Sequence, residues 1–341
     1  MRKMKRIFTF ILILIGFVPI LTGLVWLDRE VLSAPERGTA SLSSNWLNQD
    51  DYKDSEIVIF AVGDIVLDRG VEYMIDKKGG GNYRFPFLKI AEDLEEPDVL
   101  FGNLEGPISD QGEKVGSIYS FRMEPEAIEG LKYAGFDFLS LANNHAFDYQ
   151  RIALEDTMDN LGEAGIDYVG AGFDKGEAFS VKVRKVNNTK IGFLAYTNLG
   201  AAGWQAGEER TGLAWIDWAD IDWVKDTIRD AKEEVDVLFV SLHAGWEYSP
   251  EPNVFQQEFS KACIEAGADM VLGHHPHVIQ EVEEYEGGWI AYSLGNFIFD
   301  QGFSEETMKG LLLEIIVANG RIVEVNPKEF KLSEYFQPYF P

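Results

Sequence analysis

The sequence predicts an α/β domain with largely parallel strands, and three observations support this fold class. From about residue 56 onward, short runs rich in β-branched and aromatic residues alternate with amphipathic stretches of helical length. No second linker or internal repeat interrupts the alternation, which favours one domain over residues 55–332, followed by a tail at 333–341. Polar residues directly follow several apolar runs, as expected where strands end at a binding crevice.

Residues 1–30 predict a basic cytoplasmic N-terminus and a transmembrane anchor. Four of the first six residues are basic, and an uncharged apolar run follows over residues 7–27. As a helix this run would measure about 31 Å at roughly 1.5 Å per residue, enough to cross a bilayer core. The basic flank places the main domain outside the cell. A cleaved signal peptide is the alternative, although the run exceeds the usual apolar core of such peptides.

Residues 31–54 lack sustained periodicity and are rich in Ser, Asp, Gly and Pro, which predicts a flexible tether. The whole chain is acidic, with 57 Asp and Glu against 30 Lys and Arg and a net charge of −27. Nucleic acid is therefore excluded as a partner, and anionic membrane surfaces are disfavoured as binding surfaces. The single Cys263 lies on an apolar helical face, which predicts a buried thiol and excludes an internal disulfide.

Six apolar runs end in residues that bind metals or form hydrogen bonds, and all five histidines of the chain lie at these ends. Because the carboxyl ends of strands in an open α/β sheet border one crevice, these side chains are expected to converge. The runs are EIVIFAV, DVLF, FDFLSLA, DVLFVSL, DMVLG and WIAYSLG, and the residues after them are Asp64, Asn103 and Glu105, Asn143 to His145, His243, His274 to His277, and Asn296.

This mixture of carboxylate, amide and imidazole without thiolate predicts a site for one or two divalent ions, namely Mn, Fe, Zn or Mg. Two ions with Glu105 as the bridge would activate water and polarise the bond that it attacks, which indicates a hydrolase. The predicted ligands are Asp64, Glu105, Asn144, His243, His275 and His277.

Pro276 biases His275 toward an extended conformation, in which residues 275 and 277 project to the same side. His275 and His277 are therefore expected to point together at a metal, with His274 pointing away. His145 is the predicted catalytic donor or general acid, and Asp148 is placed to orient it through the other ring nitrogen. A turn that caps the following helix is the alternative for Asn144 and His145.

Four further residues are predicted to contact substrate. Arg69 would clamp an anionic group, although an ion pair at a helix start explains it equally well. Glu247 either contacts substrate or is a solvated loop acid. Asn103 and Asn296 complete this set through their strand-end positions.

Taken together, GDIVLDRGV, FGNLEGPIS, SLANNHAFDY, LHAGWEYSPEP and GHHPHVIQEVEEYEGGWIAYSLGNFIFD resemble the CapA (PgsA) family of poly-γ-glutamate capsule proteins, a branch of the calcineurin-like metallophosphatase superfamily. The resemblance covers roughly residues 56–302. It implies a four-layer α/β/β/α sandwich of metallophosphatase type, preceded by one N-terminal transmembrane helix, and it implies the same metal ligands, with His145 beside the reacting group. One departure is that the superfamily's Asp-x-His motif is here Asp64-Ile65-Val66, which leaves one imidazole missing.

The resemblance further implies a membrane-anchored extracellular protein that acts beside a membrane-embedded capsule synthase. The first hypothesis is a metal-dependent hydrolase or transferase that acts on poly-γ-glutamate during its synthesis or export. The alternatives are a non-catalytic scaffold subunit of the synthase complex and a metallophosphoesterase with a wall or nucleotide substrate.

Overall fold

A computed structural model describes residues 56–341, so the predicted anchor and the whole of the predicted tether lie outside the described residues. Across residues 56–341, no helix is long and apolar enough to cross a membrane. The strands are β1 (Ile57–Ile65), β2 (Val99–Leu104), β3 (Phe138–Ser140), β4 (Asp167–Val169), β5 (Ala171–Gly172), β6 (Lys182–Val186), β7 (Thr189–Thr197), β8 (Gly212–Leu213), β9 (Val237–His243), β10 (Met270–His274), β11 (Val282–Tyr285), β12 (Gly288–Ala291), β13 (Asn296–Ile298), β14 (Lys309–Ala318), β15 (Arg321–Leu332) and β16 (Pro338–Tyr339). The α-helices are α1 (Gly70–Gly79), α2 (Ala127–Ala134), α3 (Gln150–Ala164), α4 (Lys175–Ala178), α5 (Ile221–Glu234) and α6 (Val254–Ala266).

Two mixed sheets form the centre of the domain. The first has the strand order β16-β15-β14-β1-β2-β3-β4, with β13 paired to the end of β1. In this sheet β1 to β4 are parallel, whereas β14 to β16 are antiparallel. The second sheet has the order β11-β12-β10-β9-β7-β6, with parallel pairing from β12 to β7 and an antiparallel strand at each edge. The predicted parallel strands are therefore present, flanked by antiparallel ones.

The two sheets pack face to face and carry helices on their outer faces. One buried apolar cluster joins the inner faces, and its stacked rings include Phe101 of the first sheet and Phe193 of the second, with centroids 5.0 Å apart. A second cluster packs α1, α2 and α3 against the outer face of the first sheet. A third packs α5 and α6 against the second sheet. The described domain is thus a four-layer α/β/β/α sandwich.

Local sequence signals explain the ends of α6. The side chain of Asn253 accepts a hydrogen bond from the backbone N–H of Gln256, and the Gln256 side chain accepts one from the backbone N–H of Asn253. Gly267 ends the helix at φ 117°, a conformation that favours glycine. Phe259 and Cys263 lie on the buried face of α6, and burial raises the pKa of the Cys263 thiol. The prediction of a buried thiol is confirmed.

The C-terminal hairpin completes the first sheet. Asn319 and Gly320, at φ 54° and 69°, form the two-residue turn between β14 and β15, as the Asn-Gly pair predicts. Strand β14 pairs along β1, so the hairpin extends the sheet.

Asn296 does not follow the end of its predicted strand. Strand β12 ends at Ala291, and Asn296 begins the separate strand β13, which pairs with β1 in the other sheet. The chain passes close to β1 at Gly63, where an added Cβ would lie 1.8 Å from the carbonyl oxygen of Gly295. Glycine at position 63 therefore allows the approach that brings Asn296 beside Asp64.

Candidate metal centre

The predicted carboxylates and imidazoles come together at one edge of the two sheets. Glu105, His275 and His277 form one group, whose donor atoms all lie within 4.8 Å of one another. Asp64, Glu105 and His243 form a second group at the same separation. All of these residues are buried, and Glu105 belongs to both groups. This sharing is the arrangement expected of a carboxylate between two ions.

Glu105 carries the clearest indication of a cation. It is 0 % exposed, and neither of its carboxylate oxygens has a hydrogen-bond partner among residues 56–341. The Nε2 atoms of His145 and His277 each lie 3.7 Å from Oε1, and that of His243 lies 3.9 Å away, too far for hydrogen bonds. Burial, followed by the negative charge of Asp64, raises the pKa of Glu105 well above its usual range. A divalent cation would satisfy this otherwise costly carboxylate, so the residues fit the predicted metal.

Asp64 is held in place by several donors. The Nδ2 atom of Asn103 donates to Oδ1 at 2.8 Å, and the backbone N–H of His275 donates to Oδ2 at 3.2 Å. The Nδ1 atom of His274 lies 3.5 Å from Oδ1, and that of His277 lies 3.3 Å from Oδ2. Burial alone would raise the pKa of Asp64, but hydrogen bonds and charge from His274 and His277 outweigh it and hold the pKa well below its usual range. Asp64 is therefore an ionised oxygen donor.

His243 and His275 are held in the neutral form that binds metals. Burial, followed by repulsion from His275, lowers the pKa of His243 well below its usual value. Burial, followed by repulsion from His277, lowers the pKa of His275 to about 3. The Oδ1 atom of Asn144, the predicted amide ligand, lies 2.7 Å from Nε2 of His243. Two neutral imidazoles and an amide oxygen thus lie beside the buried carboxylates.

Asn103 and Asn296 lie behind the candidate ligands, not in contact with the pocket. Both are 0 % exposed. Besides its bond to Asp64, Asn103 places Nδ2 3.3 Å from Nδ1 of His243. The Oδ1 atom of Asn296 lies 3.0 Å from Nδ1 of His277, and its Nδ2 donates to Gln301 and to the Thr307 carbonyl. The structure therefore places these two amides, predicted as substrate contacts, against candidate ligands, where they would orient those side chains.

His145 has the geometry predicted for the catalytic donor. Its Nδ1 lies 2.7 Å from Oδ2 of Asp148, which leaves Nε2 directed toward Glu105. The same Asp148 oxygen accepts the backbone N–H of Phe121 at 2.8 Å. The Phe121 ring covers the imidazole, with centroids 4.1 Å apart. Asp148 thus fixes both the ring of His145 and the loop that covers it.

Comparison with known proteins identifies the family of this chain. The sequence model of the family described as "Bacterial capsule synthesis protein PGA_cap" matches residues 58–301, which include every predicted site residue. The chain belongs to the PGA_cap family. The PGA biosynthesis protein CapA of Bacillus subtilis (strain 168) is 33% identical over 272 residues, covering 79% of this chain and 70% of that protein. The capsule biosynthesis protein CapA of Bacillus anthracis is 30% identical over 335 residues, covering 96% and 76%.

Among solved structures, a hypothetical protein from Thermus thermophilus shares the fold of this PGA_cap chain. The TM-score is 0.51 at 15% identity, and the match covers 81% of this chain and 99% of that one.

The imidazole expected two residues after Asp64 is replaced in this PGA_cap chain by an apolar contact. Val66 is fully buried and packs in a small cluster with Phe121 and Phe299. The group around Asp64 therefore lacks that nitrogen donor. Among the imidazoles beside Asp64, that of His277 lies nearest to the carboxylate.

The backbone around Pro276 differs from the prediction. Strand β10 ends at His274, and the next residues turn, with φ 96° at His275 and 57° at His277. The expected extended conformation of His275 is therefore wrong, although both imidazoles still reach Glu105. Left-handed conformations in histidine are strained and are typical of functional sites that the surrounding structure holds in place. His274 is fully buried near Phe101, at a ring distance of 6.2 Å.

A pocket of about 470 Å³ opens in front of His145, His277 and Asn144. Sequence reasoning identified two more of its residues, Arg69 and Glu247, but missed most of its walls. The missed residues are Ser117, Tyr119, Phe121, Tyr248, Phe299, Asp300, Gln301 and Phe303. Asp300 follows β13 and could have been found by the strand-end rule, whereas the loop aromatics carry no periodic signal.

Arg69 in this pocket forms the ion pair that was the alternative to a substrate clamp. It directly precedes α1, and its guanidinium donates to both carboxylate oxygens of Asp300, with Nε 3.1 Å from Oδ2. It also lies over the Phe121 ring, 4.7 Å from the centroid. The charge of Arg69 is therefore largely neutralised inside the protein.

Proposed function

We propose that this chain is a membrane-anchored extracellular protein of poly-γ-glutamate capsule synthesis or export, and that its metallophosphatase-type domain is a metal-dependent hydrolase or transferase acting on the polymer. The observation that carries the enzymatic part is the buried carboxylate of Glu105, which has no hydrogen-bond partner among residues 56–341 and is shared by two ligand groups. It lies 3.7 Å from His145, a residue that lines the pocket. A scaffold would need neither that pocket nor a histidine oriented by Asp148.

The site residues have two proposed roles, which are metal binding and proton transfer. Asp64, Glu105, Asn144, His243, His275 and His277 would hold one or two divalent ions. When bound, such ions supply Lewis acidity and an activated water or other nucleophile. His145 lines the pocket, with Nε2 3.7 Å from Glu105 and Nδ1 held by Asp148, so it is placed to donate a proton to the leaving group. Because Nδ1–H is donated to Asp148, donation from Nε2 requires that this second nitrogen carry a proton as well, and Asp148 holds the ring in the orientation for that step.

The capsule role is supported by the names of the relatives. The Bacillus subtilis relative is named a PGA biosynthesis protein and the Bacillus anthracis relative a capsule biosynthesis protein. The apolar run at residues 7–27 supports the anchor, with the N-terminus cytoplasmic and the main domain outside. The proposed partners are the membrane-embedded capsule synthase subunits, the polymer and the membrane itself.

The test uses the full chain purified in detergent. Bound metal is measured by mass spectrometry, and turnover of poly-γ-glutamate and of a phosphodiester chromogen is measured with and without Mn²⁺. We expect at least one metal per chain and Mn²⁺-dependent shortening or transfer of the polymer. Turnover of the chromogen alone would indicate a phosphoesterase instead.

Capsule production in living cells separates the enzyme from a scaffold. A strain carrying His275→Ala and His277→Ala should lose capsule while the protein remains abundant in the membrane fraction. Glu251→Gln, an exposed change outside the pocket, is the matched control. Normal capsule in the double variant, together with no turnover in vitro, would overturn the enzymatic proposal. Recovery of the wild-type chain in the soluble fraction would overturn the anchor.

A further inference from the structure

The mouth of the pocket carries exposed aromatic side chains that the proposed chemistry does not use. Tyr119 is 66% exposed, Phe303 65% and Tyr248 43%, and all three line the pocket beside His277. Trp246, next to this group in sequence, is 68% exposed. Exposed aromatic surface gathered at one opening marks a binding site, because it is otherwise unfavourable in water.

The aromatic walls are held in a defined arrangement. The rings of Tyr248 and Phe303 lie 5.0 Å apart at 89°, so they form two perpendicular walls. Tyr248 adopts φ 62°, and its backbone N–H donates to the carbonyl of Pro276 at 2.8 Å. This bond fixes Tyr248 to the loop of candidate ligands, with its ring centroid 6.1 Å from that of His277. A strained backbone held in this way is typical of functional sites.

The charge at this end of the pocket is negative. Asp300 neutralises Arg69, so the remaining charged side chain among the wall residues outside the candidate metal centre is Glu247. Glu247 is exposed and forms no ion pair within residues 56–341. Glu247 directly precedes Tyr248 in the chain, and both residues line the pocket. An anionic ligand group would be repelled here, whereas a cation would be attracted by the Glu247 carboxylate and by the faces of the aromatic rings.

We propose that Tyr119, Tyr248, Phe303 and Glu247 form a subsite for a primary ammonium group, next to the catalytic pocket. Ring faces attract cations through their quadrupoles, and Glu247 supplies the opposite charge. The net charge of −27 for the chain adds a long-range field of the same sign. The inference rests on the proposed function for its biological meaning, since the ammonium group belongs either to the free amino end of a glutamyl chain or to a separate amine acceptor.

Binding is tested first, without turnover. The full chain loaded with Mn²⁺ is titrated with n-butylammonium chloride at constant ionic strength, and heat and tryptophan fluorescence are recorded. We expect Glu247→Gln to weaken binding about tenfold, because the rings alone retain only part of the attraction. Glu251→Gln, on the same loop, should bind as the wild type does. Equal affinity for n-butanol and n-butylammonium, or equal affinity in wild type and Glu247→Gln, would overturn the subsite.

The source of the ammonium group is tested with short γ-glutamyl oligomers. If it is the amino end of the chain, N-acetylation should raise KM about tenfold in the wild type. In Glu247→Gln the ratio of KM for the acetylated oligomer to KM for the free oligomer should fall to about one. If it is a separate amine, acetylation should leave KM unchanged, and mass spectrometry should detect a butylamide product. To form that product the ammonium loses one proton to solvent and its nitrogen bonds to the carbonyl carbon. The bond from this carbon to the former amide nitrogen breaks, and that nitrogen takes up the second proton lost by the attacking amine and leaves as an amine.

The two proposals fail in different ways. If ammonium binding depends on Glu247 but no oligomer is turned over, the subsite stands and the proposed enzyme function is wrong. If oligomers are turned over but n-butylammonium does not bind, the function stands and the subsite is wrong.

Discussion

Replacing Glu105 by glutamine should make the metal-free protein more stable at neutral pH. The Glu105 side chain is fully buried, and both oxygens lack partners within the described residues. The change removes the charge at nearly constant volume. Leaving a buried charged group unpaired costs about 2 kcal/mol, which corresponds to roughly 4 to 6 °C in Tm for a domain of this size.

The effect should depend on pH in a defined direction. Because the folded-state pKa of Glu105 is raised above its ordinary value of 4.5, the folded protein binds the proton more tightly than the unfolded chain does. Below pH 4.5 the group is neutral in both states and contributes no penalty. The penalty grows as pH rises from 4.5 toward the folded-state pKa. The Tm difference between Glu105→Gln and wild type should therefore increase across this window.

The assay is thermal unfolding of EDTA-dialysed protein between pH 4.5 and 8, repeated with Mn²⁺. Wild type should gain stability with Mn²⁺, by about 2.7 kcal/mol at a hundredfold excess over Kd, and Glu105→Gln should lose most of this gain. Glu251→Gln, an exposed acid, should show neither effect. A Tm difference that is constant with pH, or a variant that Mn²⁺ stabilises as fully as wild type, would refute the assignment of Glu105 as the shared ligand.

Two further changes test the supporting structure. Asp148→Asn should lower kcat on the polymer by about 10- to 100-fold with little change in KM and should alter the pH–rate profile, because His145 loses the negatively charged acceptor of its Nδ1–H; an unchanged profile would contradict that role. Gly63→Ala should lower the midpoint of denaturant unfolding, because its Cβ would meet the carbonyl of Gly295. The free energy of unfolding should fall by at least about 1 to 3 kcal/mol. Gly203→Ala, which meets nothing within 4 Å, should be close to neutral by the same denaturant measurement.

The sequence predicted the parallel core and the edge at which the site lies, because both follow from local patterns. Apolar runs of strand length identified β1, β2, β9 and β10, and the residues at their ends meet as parallel pairing requires. The register is visible in the pairing of Asp64 with Asn103 and of His243 with His274. The Asn319-Gly320 turn was predictable because its chemistry is set within two residues.

Features that depend on long-range packing were not predictable in the same way. Asn296 belongs to a strand that crosses to the other sheet, and its path depends on the close approach at Gly63. Asn103 is buried by contacts with Asp64, His243 and Asn143, which lie at or just beyond the ends of three other strands, so an amide that looks available to substrate in the sequence contacts candidate ligands in the fold. The pocket residues that the sequence did not predict come from three separate loops, and loops carry no period that relates them.

The turn at His275 and His277 shows that tertiary contacts can override a local backbone preference. Proline at 276 favours an extended His275, yet both histidines adopt left-handed backbone conformations. The backbone N–H of His275 donates to Asp64, and Asn296 holds the ring of His277, so tertiary contacts outweigh the local preference. These contacts come from the residues that surround Glu105. The strain in this turn is therefore maintained by the same network that gathers the candidate ligands, and a cation bound there would stabilise both.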